Sequence, residues 1–154
     1  MTTTFTGPIR SGDVLNTTGT TAGSVANVGY TQLVQSVAIT QSSTAAATTI
    51  CLPAGSQIVA ISALVSTAFT GASAGLNIGT SATSTELVAA ANFLLNAVGL
   101  FSATPGTDAT RTANWVDVGT SDVIIYVKAA NAPSGSTGAA TLSIEYVQNY
   151  NLTP

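Results

Sequence analysis

The stretch Val123-Ile124-Ile125-Tyr126-Val127-Lys128, a loop Ala132-Pro133-Ser134-Gly135-Ser136-Thr137-Gly138, and the run Leu142-Ser143-Ile144-Glu145-Tyr146-Val147 decide the fold class. Both flanking runs are short, alternate in polarity and are rich in β-branched and aromatic residues, while the loop between them is built from Pro, Gly and Ser. Two strands follow from this, and a hairpin reading places Tyr126 and Tyr146 across from each other. Working backwards, Gly119-Thr120-Ser121-Asp122 reads as a turn. Before it, Thr112, Asn114, Val116 and Val118 alternate with Ala113, Trp115 and Asp117, which reads as a further strand with Trp115 in the core.

The same texture runs through the first half. Leu33, Gln35, Val37 and Ile39 alternate with polar or small neighbours, a Ser42-Ser43-Thr44 turn follows, and Thr48–Leu52 forms the next strand up to Pro53-Ala54-Gly55-Ser56. Ile58-Val59-Ala60-Ile61-Ser62-Ala63-Leu64-Val65 is the strongest β signal of this half, and Leu76-Asn77-Ile78-Gly79 is a short strand. In Glu86–Phe101 the capping-box spacing of Thr83 and Glu86, with Leu87, Ala91, Leu94, Val98 and Phe101 at helical intervals, leaves room for one short helix. The expected fold is all-β: a jelly-roll-like β-sandwich or barrel with Ile58, Ile61, Leu64, Trp115, Ile125 and Ile144 in its core. The domain occupies residues 31–150, behind an extended, turn-rich N-terminal arm of residues 1–30 and before a short tail of residues 151–154.

Composition then restricts function. The chain has 154 residues, enough for one domain with a real core, and 45% of them are apolar. Only 6% are charged, against roughly 25% in an average domain, and Thr, Ser and Ala supply about two residues in five. Three basic residues, Arg10, Arg111 and Lys128, cannot neutralise a phosphate backbone, which argues against nucleic acid. No apolar run is long enough for a membrane span, and the opening residues carry no secretory signal.

The sequence contains no His, which removes the usual general base and the commonest metal ligand. Cys51 is the lone cysteine and reads as a buried small hydrophobe. The six carboxylates, Asp13, Glu86, Asp108, Asp117, Asp122 and Glu145, are scattered. Only Asp117 and Asp122 flank a common turn, where Asp is ordinary turn chemistry. Trp115 and the four tyrosines form no aromatic run of the kind a sugar platform uses. No catalytic, cofactor or metal constellation is present, so a non-enzymatic role is expected.

Three stretches resemble the capsid decoration (head cement) proteins of tailed bacteriophages. They are Phe5-Thr6-Gly7-Pro8-Ile9-Arg10-Ser11-Gly12 with the following arm to Val28-Gly29-Tyr30, then Leu52-Pro53-Ala54-Gly55-Ser56-Gln57-Ile58, and Ala140-Thr141-Leu142-Ser143-Ile144-Glu145-Tyr146-Val147-Gln148. The resemblance implies a jelly-roll-like subunit made in the host cytoplasm, forming a homotrimer and docking on the outer capsid surface against the major capsid protein. It implies no catalytic residue, cofactor, nucleic acid or membrane partner. The candidate contacts to capsid or neighbour are Phe5, Pro8, Ile9, Arg10, Val14 and Leu15 in the arm. The alternatives are another virion β-sandwich (neck, tail or fibre base) or a carbohydrate-binding or adhesin module.

The arm lacks core periodicity, so deleting residues 1–28 is expected to leave the β circular-dichroism spectrum and thermal melt largely intact while weakening capsid attachment. Unfolding on that deletion would instead make the arm part of the sandwich.

Overall fold

The computed structural model describes residues 32–148 apart from 72, 134 and 135. Seven strands lie in this region: β1 (Gln32–Thr40), β2 (Ala46–Leu52), β3 (Gln57–Thr67), β4 (Gly75–Gly79), β5 (Gly99–Ser102), β6 (Val123–Ala130) and β7 (Ala139–Val147). One helix, α1 (Ala109–Val116), and a single 3₁₀ turn, Ala90–Asn92, complete the elements. The strands form two antiparallel sheets, one of order β1-β7-β3-β5 and one of order β2-β6-β4. The protein is an all-β sandwich.

The pairings are nested. β1 pairs the last strand, β2 the one before it, and β3 pairs β5. Between β4 and β5 the chain turns back beside β4 through two isolated bridges, Ile78 with Val88 and Gly75 with Leu94. A long hairpin rolled up on itself gives this pattern, which is the jelly-roll arrangement with one of its eight strands reduced to bridges. The expected jelly-roll-like architecture is therefore present.

The core lies between the inner faces. Ile58, Ile61, Ala63 and Val65 of β3 meet Leu142, Ile144 and Tyr146 of β7 within one sheet, and Ile50, Leu52, Ile78 and Ile125 close it from the other. At the open corner, the Gln35 side chain replaces a missing ladder partner. Its amide donates to the Cys51 carbonyl at 2.6 Å and its carbonyl accepts from the Cys51 N–H at 3.0 Å. Gln41 does the same for Thr70, at 2.8 and 2.7 Å. Neutral carboxamides satisfy these edges without burying charge.

Several expectations fail, each for a local reason. Residues 112–118 are not a strand; they lie in and after α1, because Asp108 caps a helix by accepting from the Arg111 N–H at 2.9 Å. The period-two reading of Thr112, Asn114 and Val116 was coincidental on a helix that buries none of its residues fully. Trp115 is accordingly half-buried rather than central, with its indole N–H donating to the Leu87 carbonyl at 3.0 Å.

The short helix allowed in Glu86–Phe101 is absent apart from the 3₁₀ turn, because Leu87, Val88, Phe93 and Leu95 are all buried and the bridges to β4 hold them extended. Thr83 and Glu86 do bond to each other, but in a tight turn that starts no helix. Leu64 is 57% exposed, because a bulge between Ile58 and Ala60 resets the alternation, turning Ile61, Ala63 and Val65 inward and Leu64 outward. Cys51 is exposed, lying outward between buried Ile50 and Leu52. Tyr126 and Tyr146 do not pair, since β6 and β7 belong to different sheets.

The two sides of the sheet make opposite demands. Ile144→Ala, at a fully buried position of the central strand, is expected to cost about 2–5 kcal/mol in urea unfolding. Leu64→Ala is expected to stay within about 0.5 kcal/mol of the parent.

Candidate interface

The register of the first sheet assembles a surface that no single strand reveals. On its outer side Ser36 stands opposite Ser143, Ser143 opposite Ser62, and Ser62 opposite Ser102, so four serines form a row across four strands. The first two share a hydrogen bond at 2.8 Å. The next outward row is Ala38, Thr141, Leu64 and Leu100. Leu100 is 70% exposed, and Val98, two residues before it, is 68% exposed. The outer face thus has an apolar centre at its β3–β5 side, bordered by hydroxyls and small side chains. Its one charged residue is Glu145, which accepts from the Gln32 amide at 2.7 Å near the start of β1. Small, uncharged side chains lose little solvation on contact, and an apolar centre with a polar border is the usual anatomy of a protein interface.

Charge is segregated along the sandwich. The described residues of the loops 41–45, 68–74, 96–98 and 131–138 gather at one end, and none of them is charged. The loops at the opposite end hold Glu86, Asp108, Asp117 and Asp122 against Arg111 alone. Both chain exits, before Gln32 and after Val147, are at that acidic end, since these two residues pair with each other.

Each acid there serves the backbone. Asp122 accepts from the Ala54 N–H at 2.9 Å, and Asp117 accepts from the Gly119 N–H at 2.8 Å, so the two flanking carboxylates have separate structural tasks. The adjoining turn closes through Gly55, with φ +68°, whose N–H donates to the Gly119 carbonyl at 2.7 Å. Glu86 sits against the open face of Gly79, where a Cβ would collide with the carboxylate. Burial raises its pKa, but hydrogen bonds from Ser81, Thr83 and the backbone N–H of Thr85 outweigh this and hold it below the ordinary value. Asp108 is lowered chiefly by the Arg111 N–H, with the Arg111 charge adding to it.

Lys128, on β6, is among the residues around a cleft between β1 and β2. The arm contacts Phe5, Pro8, Ile9, Arg10, Val14 and Leu15 lie outside the described residues. Among the described residues no group of three or more His, Cys, Asp or Glu side chains converges, and no helix is long and apolar enough to cross a membrane. Sequence alternation missed the outer-face patch: Leu64 read as core, and nothing local marks Leu100 as outward.

A solved structure of a phage capsid contains the same fold. The chain superposes on one chain of the structure described as the cyanophage Pam1 capsid asymmetric unit with a TM-score of 0.55 and 19% identity. The match covers 89% of this chain and 99% of the other, so the two are alike in length as well as architecture. No family model and no curated protein matches the sequence.

The depressed carboxylates set an acid limit. A group held below its unfolded pKa contributes stability at higher pH and loses it as pH falls through the folded value. The urea midpoint is therefore expected to hold near neutrality and drop as pH passes below 4.5, the ordinary glutamate value. Glu86→Gln should lower stability at pH 7 by about 1 kcal/mol and flatten that acid limb. An unchanged limb would remove Glu86 from the account.

Proposed function

We propose that this protein is a structural subunit of a tailed-phage virion, and specifically a decoration (cement) protein on the outer surface of the capsid. In this reading it is a homotrimer bound to the major capsid protein and performs no catalysis. The observation that carries the reading is the near end-to-end likeness to a chain of comparable length in a phage capsid structure. The resemblance of the arm, the Pro-Ala-Gly turn and the closing strand to head cement proteins points the same way. The outer face, with Glu145 as its single charge among the described residues, supports it physically. A subunit repeated over a lattice needs shape, many weak contacts and avidity rather than a reactive group.

The docking chemistry follows from the charge count. Exposed ion pairs are worth only about 0–1 kcal/mol each, and few can form here. Raising salt from ~0.15 M to ~1 M shortens the screening length from about 8 to 3 Å and removes most of that contribution. Apolar burial survives, and sulfate strengthens it.

The test is sedimentation of the purified protein with capsids of its own phage lacking it. Binding is expected to persist through a 1 M sodium chloride wash, with release by heat or denaturant. Leu100→Glu is expected to keep the parent's melt and lose attachment. Light scattering of the free protein should report a trimer. Failure to bind capsids, or clean release by sodium chloride alone, would overturn the reading; binding to tails or to a sugar array would redirect it.

A further inference from the structure

A bare sheet edge offers unpaired backbone groups to another strand. In the second sheet neither edge is free: β4 is covered by the bridges to Val88 and Leu94, and the pairing of β2 is irregular between Ala47 and Cys51. In the first sheet both edges are bare among the described residues. No strand lies beyond β5. β1 is clamped to β2 at Gln35 and Cys51, but past that point a cleft of about 240 Å³ parts residues 37–40 from Ala46, Ala47, Thr48 and Thr49. Neither edge carries the charge or proline that usually protects one, since β5 is Gly-Leu-Phe-Ser and residues 36–40 are Ser-Val-Ala-Ile-Thr.

These two edges match in direction, level and backbone. β5 runs antiparallel to β3 and so to β1, which makes β5 of one copy an antiparallel partner for β1 of a copy in the same orientation. The register crosses the sheet as Ala38, Thr141, Leu64 and Leu100, so Leu100 is level with Ala38. The Gln41 N–H donates to the Gly138 carbonyl at 2.9 Å, and the Ala103 N–H to the Ile61 carbonyl at 2.8 Å. Bonded and non-bonded pairs alternate along an antiparallel ladder, so Ala38 and Leu100 both turn N–H and C=O outward from their sheet, as do Ser36 and Ser102.

We infer that β5 of one copy pairs head-to-tail with β1 of the next, with Leu100 opposite Ala38 and Ser102 opposite Ser36. A head-to-tail contact closes into a ring when the copies are related by rotation alone. Rotation about an axis parallel to the strands leaves every level unchanged, and the shared level of Leu100 and Ala38 meets that condition. A ring of three rests on the trimer of the proposed function; the edge contact does not. Leu64 and Leu100 stay on the outer face, where the apolar centre runs on into the neighbour's Ala38 and Thr141.

The experiment uses the full chain with Cys51→Ser and reads disulfide-linked species after mild oxidation. A mixture of Ala38→Cys chains and Leu100→Cys chains is expected to give at least tenfold more linked dimer than either variant alone. Val34→Cys in place of Ala38→Cys should lose that gain. With both cysteines in one chain, links still join copies, because the two positions are three strand spacings apart, about 14 Å, too far to bridge. Those links should close at the oligomer that light scattering reports. Ala38→Pro removes an outward N–H and no ladder bond to β7, so it should keep the β circular-dichroism spectrum and scatter as a 15.2 kDa monomer. Leu100→Cys chains linking chiefly to each other would overturn the proposal by pairing β5 with itself. A parent trimer with no gain in the mixture would overturn it too, yet leave the trimer standing, and capsid sedimentation tests the virion reading separately.

Discussion

The last strand, β7, lies in the middle of its sheet, between β1 and β3, and everything else in the sandwich depends on that placement. Its inward residues Ala140, Leu142, Ile144 and Tyr146 are buried against β1 and β3 on both sides. Without β7, β1 has no ladder partner and the core has no centre. The pairings that form it join residues from 72 (Thr67 with Ala139) to 115 (Gln32 with Val147) positions apart, so most of the closure entropy must be lost before those contacts contribute. A fold dominated by such non-local pairs assembles slowly, and its stability is concentrated in the apolar burial between the two sheets.

Scarcity of charge shapes how the polar groups are satisfied. Where another domain would use ion pairs, this one uses carboxamides and hydroxyls. Gln35 and Gln41 each occupy both backbone groups of one residue, Asn77 accepts from the Ala90 N–H at 2.7 Å, and Thr48 donates to the Ile125 carbonyl at 2.9 Å. Four of the described acids, Glu86, Asp108, Asp117 and Asp122, are gathered at one end, where they accept from backbone N–H groups in turns. The consequence is a molecule with an acidic end and an outer sheet face that is nearly free of charge. That face can be covered by another protein at little desolvation cost, which is the physical link between the composition and the proposed role in a lattice.

The fold and the surface support the virion reading through different routes. On the outer side of the sandwich, small residues (serine, alanine and threonine) occupy the rows around Leu64 and Leu100. Apolar contact on such a surface tolerates changes in salt, as the proposed docking requires.

From the sequence alone, the all-β class, most strand positions and the Pro53–Ser56 turn were legible, because alternation and breaker residues are local signals set by the strand period and by Pro and Gly geometry. The absence of His and the low charge were equally plain. Tertiary structure alone decided which sheet each strand joins: the run before Ala132 and the run after Gly138 look like one hairpin, yet the burial of both inner faces sends them to opposite sheets. It also decided the sides. A single bulge after Ile58 turns Leu64 from a core residue into a surface one, and two bridges to β4 override the helical spacing of Glu86–Phe101. Asp108 was a local signal, a helix cap outweighed by the apparent alternation that follows it. The four-serine row and the apolar patch beside it exist only through register, which strands far apart in the chain set together by burying their other faces.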